Sequence, residues 1–358
     1  MTDKKPEPVQ IQGLACPVPH HHTQSVMIGH GSGGKLTHDL ILNLFQSRIG
    51  NSFLSEGNDA ARINLKPGIG QLAFSTDSHV VSPIFFKGGD IGRLAVSGTV
   101  NDVSMLGAQP EFLTAGFIIE EGFSMESLTR IIDSMAETCR EAAVQIIAGD
   151  TKVVEKGKAD GMFINTAGFG VIPNGREIGG QFARPGDAVL ISGTLGDHSI
   201  AVLQARGELG FESNIQSDVA PLNYMISTLL EVIPDVHVLR DPTRGGLATA
   251  LKEIAGQSQV SIMLDEQSIP VKPDVNMACE MLGFDPLYLA NEGKVIVILP
   301  DKFSTEAVKI LKKSPYGVNA AVIGTVSESH PGEVLLITAF GSTRIVDMLA
   351  GEILPRIC

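Results

Sequence analysis

Apolar strands that end in acidic turns recur in the first half of this chain, and they restrict its possible folds more than any other feature of the sequence. The apolar segment 72–74 runs into Asp77, and the apolar segment 144–148 runs into Asp150. Short apolar runs bounded by turn residues predict buried strands, and helical patterns lie between them. The sequence therefore predicts an α/β (α+β) chain with carboxylates at the ends of strands.

Further polar positions fall in the same part of the chain. Asp59 lies among small residues, and Asn101 and Asp102 interrupt a helical pattern that runs from about residue 90 to residue 106. A buried polar pair costs stability unless it is satisfied, so this pair is hard to explain as packing. Each carboxylate alone is typical of a turn or a cap. Together they suggest a cluster that holds hard divalent cations and a polyphosphate.

The composition limits the class of protein. The 358 residues predict about two domains, and the net charge of −13 argues against a nucleic-acid or anionic-membrane partner. No apolar run approaches the ~20 residues that a membrane helix needs. The N-terminus lacks the apolar core of a signal peptide. We therefore expect a cytoplasmic globular protein with no membrane partner.

A glycine-rich segment, Gly29 to Lys35, precedes an apolar-periodic helix. It matches a dinucleotide fingerprint and most of a Walker loop, but Leu36 replaces the hydroxyl residue that a Walker loop gives to magnesium, and no regular β-α-β-α alternation follows. Backbone N–H groups of such a loop can still close over phosphates, whereas a flexible turn is the alternative. The candidate phosphate-binding residues are Gly31, Ser32, Gly33 and Gly34.

The chain divides into four predicted parts. They are a flexible leader at residues 1–22, a first unit at 23–182, a second unit at 183–340 and a C-terminal tail at 341–358. The leader ends in His20, His21 and His22, which together with Cys16 could hold a soft metal, although a disordered leader is the simpler interpretation.

The second unit contains a helix with a clear predicted start. Asp241 is the expected N-cap, and Pro242 is expected at the first helical position. This cap does not explain Gly245 and Gly246 in the first turn, which cost about 1 kcal/mol each relative to alanine. Close approach of a ligand phosphate would explain both glycines, with Arg244 as an added positive charge.

Lys152 and Glu292 are the candidate catalytic side chains. In an extended segment Lys152 projects from the same face as Asp150, where an ammonium group can stabilise developing phosphate charge. A surface ion pair is the alternative. Glu292 lies at a turn between two predicted apolar strands, 287–290 and 295–299, where it is either a turn residue or a general base held on rigid neighbours.

The spacing of the cysteines predicts neither a disulfide framework nor a zinc ribbon. The four cysteines are Cys16, Cys139, Cys279 and Cys358. Cys139 and Cys279 lie in apolar patterns that are typical of a core. Cys358 is different, because it is a nucleophile on a short terminal arm that Pro355 stiffens and to which Arg356 adds positive charge. An incidental terminal thiol is the alternative interpretation.

These motifs together resemble the HypE family of hydrogenase maturation proteins, which belongs to the PurM-like ATP-binding superfamily. The resemblance covers about residues 24 to 358 in order, and the terminal Pro-Arg-Ile-Cys is its most specific mark. The motifs are residues 31–34, the run from Thr76 to Asp102, Gly149 to Lys152, Asp241 to Gly246, Asn291 to Gly293 and Pro355 to Cys358.

The resemblance implies a PurM-like two-domain fold with mixed sheets flanked by helices and a flexible C-terminal tail. It implies a homodimer formed through the N-terminal domain, with ATP held in a cleft by acidic residues and Mg²⁺. In this family a carbamoyl group passes from the carbamoyltransferase HypF to the terminal cysteine and is dehydrated to a thiocyanate. The cyano group then passes to iron on the HypC–HypD complex, which builds the Fe(CN)₂CO centre of [NiFe]-hydrogenase.

The resemblance also assigns roles to the candidate residues. The catalytic residues would be Cys358 as carrier, Glu292 as base and Lys152 as the positive charge. The candidate ATP-binding residues are Gly31, Ser32, Gly33, Gly34, Asp77, Asn101, Thr151, Arg244, Gly245 and Gly246. The candidate ligands of Mg²⁺ are Asp59, Asp77, Asp102, Asp150 and Asp241.

Two classes of alternative function remain at this point. Another PurM-like enzyme, such as a selenophosphate synthetase or a thiamine-phosphate kinase, would share the acidic cleft but would not need a terminal cysteine. A nucleotide-regulated scaffold, in which the tail only docks, would not be an enzyme.

Overall fold

The computed structural model describes residues 34–40, 42–43, 56, 58, 61–64, 71–210, 213–349, 351 and 354–358. The leader, Asp59 and three candidate phosphate-binding residues of the glycine-rich segment, Gly31, Ser32 and Gly33, lie outside the described residues. The predictions for these residues therefore stay predictions.

The first half of the chain forms a five-stranded mixed sheet. Its strands are β1 (Ala61–Asn64), β2 (Gln71–His79), β5 (Gln109–Glu120), β6 (Gln145–Val154) and β7 (Met162–Ile172), and a separate short pair consists of β3 (Phe85–Phe86) and β4 (Gly89–Asp90). The order in the sheet is β1-β2-β7-β5-β6. Strands β5 and β6 run parallel, and the other neighbours run antiparallel.

Helices cover one face of this sheet. The helices of this half are α1 (Lys35–Leu40), α2 (Ile91–Ser104) and α3 (Met125–Ala142). Helix α2 begins where the side chain of Asp90 accepts hydrogen bonds from the N–H groups of Gly92 and Arg93, which confirms the helix predicted near residues 90–106. It packs on β2, β5 and β7, and α3 packs on α2.

The second half of the chain forms a seven-stranded sheet. Its strands are β8 (Asp187–Ile191), β9 (Val238–Arg240), β10 (Ser261–Asp265), β11 (Ile296–Pro300), β12 (Ala321–Ser327), β13 (Val334–Ile337) and β14 (Thr343–Val346). The order is β14-β13-β10-β12-β8-β11-β9, and only β10 and β13 run parallel. Because β14 pairs with β13, the segment predicted as a tail from residue 341 starts with an ordered strand.

Both faces of the second sheet are covered. The helices are α4 (Asp197–Arg206), α5 (Asn223–Val232), α6 (Gly246–Ser258), α7 (Pro273–Leu282) and α8 (Ser304–Leu311), and the 3₁₀ turns are Gly180–Phe182, Glu266–Ser268, Pro286–Tyr288 and Asp301–Phe303. On β8, Val189 and Ile191 pack into the core under α6, whereas Leu190 packs into the core under α5 and α8. The strand is apolar throughout because both of its faces are buried.

The described helices include no candidate for a membrane span. None of them combines the length and the apolar character that crossing a bilayer requires.

Candidate active site

Glu292 is the buried carboxyl group of the site. It follows the 3₁₀ turn Pro286–Tyr288, and the residue is only 5% exposed. Among the described residues, its Oε1 atom has no hydrogen-bond partner. A buried carboxyl oxygen without a partner is costly, so its presence points to a function. The prediction of a strand at 287–290, directly before Glu292, is wrong, because Asp285 caps a 3₁₀ turn there instead.

The surroundings of Glu292 favour its protonated form. Burial is the largest cause that raises the pKa of Glu292 well above its usual range. Three carboxylates add to this effect, namely Asp77, Asp218 and Asp241. The positive charge of Arg244 opposes the rise. A carboxyl group with a raised pKa keeps its proton more readily than a free one and can take part in proton transfer. The role of Glu292 as base stays a prediction.

Asp218 and Lys294 form a buried ion pair that holds the loop of Glu292. The carboxylate of Asp218 accepts hydrogen bonds from the backbone N–H groups of Glu292 and Gly293, each at 3.2 Å. Lys294 Nζ lies 2.9 Å from Asp218 Oδ2. Burial would raise the pKa of Asp218, but Lys294 and the hydrogen-bond donors outweigh it and lower this pKa. The ion pair therefore fixes the backbone on which Glu292 stands.

Asn291 ties the same loop to two other segments. Its Oδ1 atom accepts a hydrogen bond from the N–H group of Gly196 at 2.8 Å, directly before α4. Its Nδ2 atom donates to the carbonyl oxygens of Pro242 at 3.1 Å and Leu289 at 2.9 Å. Because Asn291 is fully buried, these bonds make the loop rigid.

Two candidate metal ligands lie between β2 and α2. Ser75 donates a hydrogen bond from its Oγ atom to Asp102 Oδ2 at 2.7 Å, and Asp77 follows two residues later on the same face of the strand. Asp77 Oδ2 lies 3.6 Å from His79 Nε2. A Cβ atom on Gly98 of α2 would stand 3.1 Å from Asp77 Oδ2, so glycine allows the helix to approach this carboxylate closely.

Asn101 is fully engaged by the protein backbone. Its Nδ2 atom donates to the carbonyl oxygen of Ala220 at 3.0 Å, and its Oδ1 atom accepts from the N–H group of Leu222 at 2.8 Å. These bonds join α2 to the second half of the chain and explain why an amide is tolerated inside an apolar helix. Its predicted contact with ATP stays a prediction.

The segment 241–246 differs from its predicted form. Helix α6 begins at Gly246 with Gly245 as its cap, so the prediction that Asp241 caps the helix is wrong. Gly245 and Gly246 have φ angles of 78° and 63°, which side-chain-bearing residues rarely adopt. A Cβ atom on Gly246 would stand 2.5 Å from the carbonyl oxygen of Leu287. Backbone geometry and packing therefore explain the glycines without a phosphate.

Asp150, Thr151 and Lys152 lie on the edge strand β6. Lys152 Nζ lies 2.9 Å from Asp150 Oδ2, and both side chains are largely exposed. The prediction that the two project from one face is confirmed, and in the single chain they form the surface ion pair of the alternative interpretation. The hydrogen bond from Lys152 and that from the N–H group of Thr151 lower the pKa of Asp150.

The C-terminal residues lie against the end of β2. The N–H group of Val80 donates to the carbonyl oxygen of Cys358 at 3.1 Å, and that of Ser82 donates to the carbonyl oxygen of Arg356 at 3.1 Å. Ile357 is 4% exposed and packs in a core cluster shared by both halves. Cys358 is partly exposed. The terminal thiol therefore belongs to a seated chain end, directly after the strand that carries Asp77.

The described residues do not form a ready-made metal cage. Among them, no group of three or more His, Cys, Asp or Glu side chains could hold a metal ion. Mg²⁺ needs less than that, because it usually binds one or two carboxylates together with phosphates and water. The carboxylates that raise the pKa of Glu292 concentrate negative charge that a divalent cation would offset.

Four further residues at this site were not predicted: Asp218, Lys294, His198 and Arg206. His198 Nε2 lies 2.7 Å from the carbonyl oxygen of Ile357, and Arg206 donates to the tail backbone. The sequence carries one weak signal for Lys294, because it directly follows the Asn291–Gly293 motif. The other three stand in no motif that could have revealed them.

The fold and the site define an AIR synthase related protein. The family model described as "AIR synthase related protein, N-terminal domain" matches residues 57–172, and its C-terminal counterpart matches residues 184–337. Thiamine monophosphate kinase from Aquifex aeolicus has a TM-score of 0.63 at 18% identity over 87% of this chain and 99% of its own, which shows a shared fold alone. The predicted PurM-like α/β fold is confirmed.

Much closer similarity identifies the family. Carbamoyl dehydratase HypE from Azotobacter vinelandii is 50% identical over 334 residues, or 93% of this chain and 97% of that protein. A crystal structure of a HypE–HypF complex matches with a TM-score of 0.82 and 51% identity, over 87% of this chain and 99% of that chain. A structure of HypE in complex with ATP matches with a TM-score of 0.79 and 50% identity, over 93% and 100%. The chain belongs to the HypE family of hydrogenase maturation proteins.

Proposed function

We propose that this chain is a carbamoyl dehydratase that converts a carbamoyl group on Cys358 into a cyano group with ATP, during maturation of [NiFe]-hydrogenase. Its relatives at about half identity carry this name. The observation that carries the proposal is the seated chain end, because Cys358 lies beside the end of β2. His198 contacts the preceding residue, Ile357, and the charge of Asp218, which holds the loop of Glu292, acts on this histidine. A thiol that only anchored a scaffold would not need a buried base nearby.

The chemistry makes two demands on the protein. The carbamoyl oxygen is a poor leaving group, so it attacks the γ-phosphorus of ATP, ADP leaves, and an O-phosphorylated imidate forms on the sulfur. Formation of this imidate releases the first nitrogen proton. The carbon–oxygen bond then breaks as the remaining nitrogen proton is removed, which yields the S-cyano group and inorganic phosphate. One proton leaves with the phosphate and the other goes to solvent. Glu292 is the base that removes a proton from nitrogen, and Cys358 keeps the substrate attached throughout.

The residues fit ATP and Mg²⁺ in part. The relative crystallised with ATP supports nucleotide binding by this chain. We assign Asp77, Asp102 and Asp241 as candidate ligands of Mg²⁺, which would neutralise phosphate charge when bound, and Asp59 and Asp150 stay candidates. The positive charge of Arg244 lowers the pKa of both Glu292 and His79, so Arg244 lies close enough to the site to face the phosphates. Lys152 stays a candidate for stabilising charge on the phosphate or the amide oxygen.

The partners follow from the same family. A relative has been crystallised with HypF, and we propose that a HypF protein supplies the carbamoyl group to this chain. We also propose that the HypC–HypD complex receives the cyano group. Both steps require Cys358 to become accessible to a second protein.

An intact-mass experiment tests the proposed function. After carbamoylation by HypF, addition of ATP and Mg²⁺ is expected to lower the mass of the adduct by one water and to release one phosphate per cyano group. With a chelator in place of Mg²⁺, the carbamoyl adduct should persist, because the phosphate charge is no longer offset. ATP hydrolysis with no change of the adduct would support the nucleotide-regulated scaffold instead.

We also propose that two copies of the chain pair through the outer face of the first sheet. On this face, opposite α2, Phe169 stacks on Phe74 and contacts Phe112 at a tilted angle. Phe74 and Ile118 on the same face are 45% and 46% exposed. The neighbouring edge strand β6 exposes Ile147 and Val153. An exposed apolar face beside an open sheet edge is typical of a protein interface. The homodimer predicted from the resemblance would cover it.

Phe74→Glu is expected to weaken such a dimer by about 100-fold or more, because a carboxylate would be buried without a partner. Light scattering coupled to size-exclusion chromatography, over a range of concentrations, measures the change of mass. Met281→Glu is the matched control, because this exposed apolar residue lies on α7, away from the sheet. An unchanged mass for Phe74→Glu would exclude this face as the interface.

A further inference from the structure

The side chain of Arg206, the last residue of α4, binds the backbone of the C-terminal tail. Its Nε atom donates to the carbonyl oxygen of Ser82 at 2.6 Å. Its Nη2 atom donates to the carbonyl oxygens of Pro355 and Arg356, both at 2.7 Å. One guanidinium group therefore joins the helix, the segment after β2 and the tail. A planar fork of donors suits this geometry, whereas the single ammonium of a lysine does not.

His198, near the start of the same helix, holds the next residue of the tail. Its Nε2 atom lies 2.7 Å from the carbonyl oxygen of Ile357, which can only accept, so Nε2 carries the proton. Its Nδ1 atom lies 2.8 Å from Ser217 Oγ, which is the donor to a neutral ring. Burial is the largest cause that lowers the pKa of His198, so the ring stays neutral. The edge of the ring packs against Phe86, with centroids 5.3 Å apart.

The tail supplies further contacts of its own. The Nε atom of Arg356 donates to the carbonyl oxygen of Val80 at 3.0 Å, and its guanidinium group also pairs with Asp160. The side chain of Ile357 is buried, and the carbonyl oxygen of Cys358 accepts from the N–H group of Val80. These contacts engage the backbone of the tail and the side chains of Arg356 and Ile357. They do not depend on which group the sulfur carries.

We propose that Arg206 and His198 are positioning residues, which hold the chain end so that the sulfur of Cys358 is presented to the site. The position of the sulfur is then the same whether it carries a proton, a carbamoyl group or a cyano group. This inference rests on the proposed function for its catalytic meaning. The seat itself, made of Arg206, His198, Val80 and Ser82, is defined by the contacts above. Its ligand is the C-terminal segment Pro355 to Cys358 of this chain.

The first test measures the seat without any dehydration chemistry. In a Cys16→Ser background, the rate at which a maleimide alkylates Cys358 rises above that of the partly exposed, seated thiol as the tail leaves the seat. The buried thiols of Cys139 and Cys279 react slowly, because burial raises the pKa of each to about 11. Arg206→Ala is expected to speed alkylation of Cys358 about 10- to 100-fold, since charged hydrogen bonds to the tail are lost.

Four further variants make this result specific. Arg206→Lys should fall between the wild type and Arg206→Ala, because it keeps the charge and loses the fork. His198→Gln keeps a donor near the position of Nε2 and should stay close to the wild type, whereas His198→Leu should speed alkylation. Arg140→Ala, an exposed arginine on α3, should change nothing. Alkylation rates of Arg206→Ala and His198→Leu equal to the wild type, in proteins with unchanged circular dichroism, would overturn the proposal.

The second test connects the seat to catalysis. In single-turnover experiments on the carbamoylated chain, Arg206→Ala should slow dehydration about 10-fold or more while the Kd for ATP stays unchanged. If alkylation accelerates but neither the variant nor the wild type dehydrates the adduct, the seat stands and the proposed function fails. If alkylation accelerates and dehydration keeps its wild-type rate, the seat does not position the sulfur and the proposal is wrong.

Discussion

Cys358→Ala is expected to abolish every covalent step of the reaction. The variant has no sulfur at the chain end, so HypF should transfer no carbamoyl group to it, and no cyano adduct should form with ATP and Mg²⁺. The seat should still form, because its contacts engage the backbone and the side chains of Arg356 and Ile357. Intact-mass spectrometry followed by peptide mapping measures the adduct.

The matched control for this variant is Cys16→Ser, which removes a thiol of the predicted leader and should carry the adduct as the wild type does. Binding of ATP to Cys358→Ala should be unchanged. An adduct that persists in Cys358→Ala would show that another residue is the carrier, and the proposed mechanism would then be wrong.

Glu292→Gln is expected to accept the carbamoyl group and then to accumulate it. Glutamine has nearly the same shape but cannot take a proton, so dehydration should slow by about 10²- to 10⁴-fold. Because the pKa of Glu292 is raised by burial, the wild-type rate should rise with pH as this carboxyl group ionises. Glu292→Gln should lose that rise. Quenched-flow mass spectrometry over a pH series measures both effects, and unchanged dehydration would remove Glu292 as the base.

The same variant is expected to be more stable than the wild type at neutral pH. Between the unfolded and the folded pKa of Glu292, the folded protein binds more protons than the unfolded chain, so the free energy of unfolding falls as pH rises. Glutamine removes this loss. A higher Tm together with lower activity would separate a catalytic defect from misfolding. Glu280→Gln, an exposed glutamate on α7, is the control and should change neither property.

Local patterns predicted a large part of the molecule. The helix near residues 90–106 was evident because small apolar residues with a helical period need a buried environment on several sides. Asp150 and Lys152 were expected on one face because an extended strand alternates its side chains. Glu292 was placed at a turn beside apolar segments, and its role as a base stays a prediction. In each case, residues close in sequence carried the information.

The parts that escaped prediction depend on contacts between distant residues. Asp218 lies 76 residues before Lys294, and His198 meets the backbone of Ile357 across 159 residues, so no spacing in the sequence reveals either contact. For Gly245 and Gly246, the sequence signal was visible but its cause was wrongly assigned to a ligand. Their unusual position was visible, but the sequence could not tell whether a ligand or the protein's own backbone occupies the space beside them.

The bonds of Asn101 have a mechanical consequence. Helix α2 packs on the first sheet, and Asn101 joins this helix to the backbone of residues 220 and 222 in the second half of the chain. A hinge motion that separated the two halves would therefore break buried hydrogen bonds. The arm after β14 begins at Asp347 and ends at Cys358. Fully extended, a segment of this length spans about 40 Å. The C-terminal segment can therefore bring the group on Cys358 to a second protein while the two halves of the chain keep their relative position.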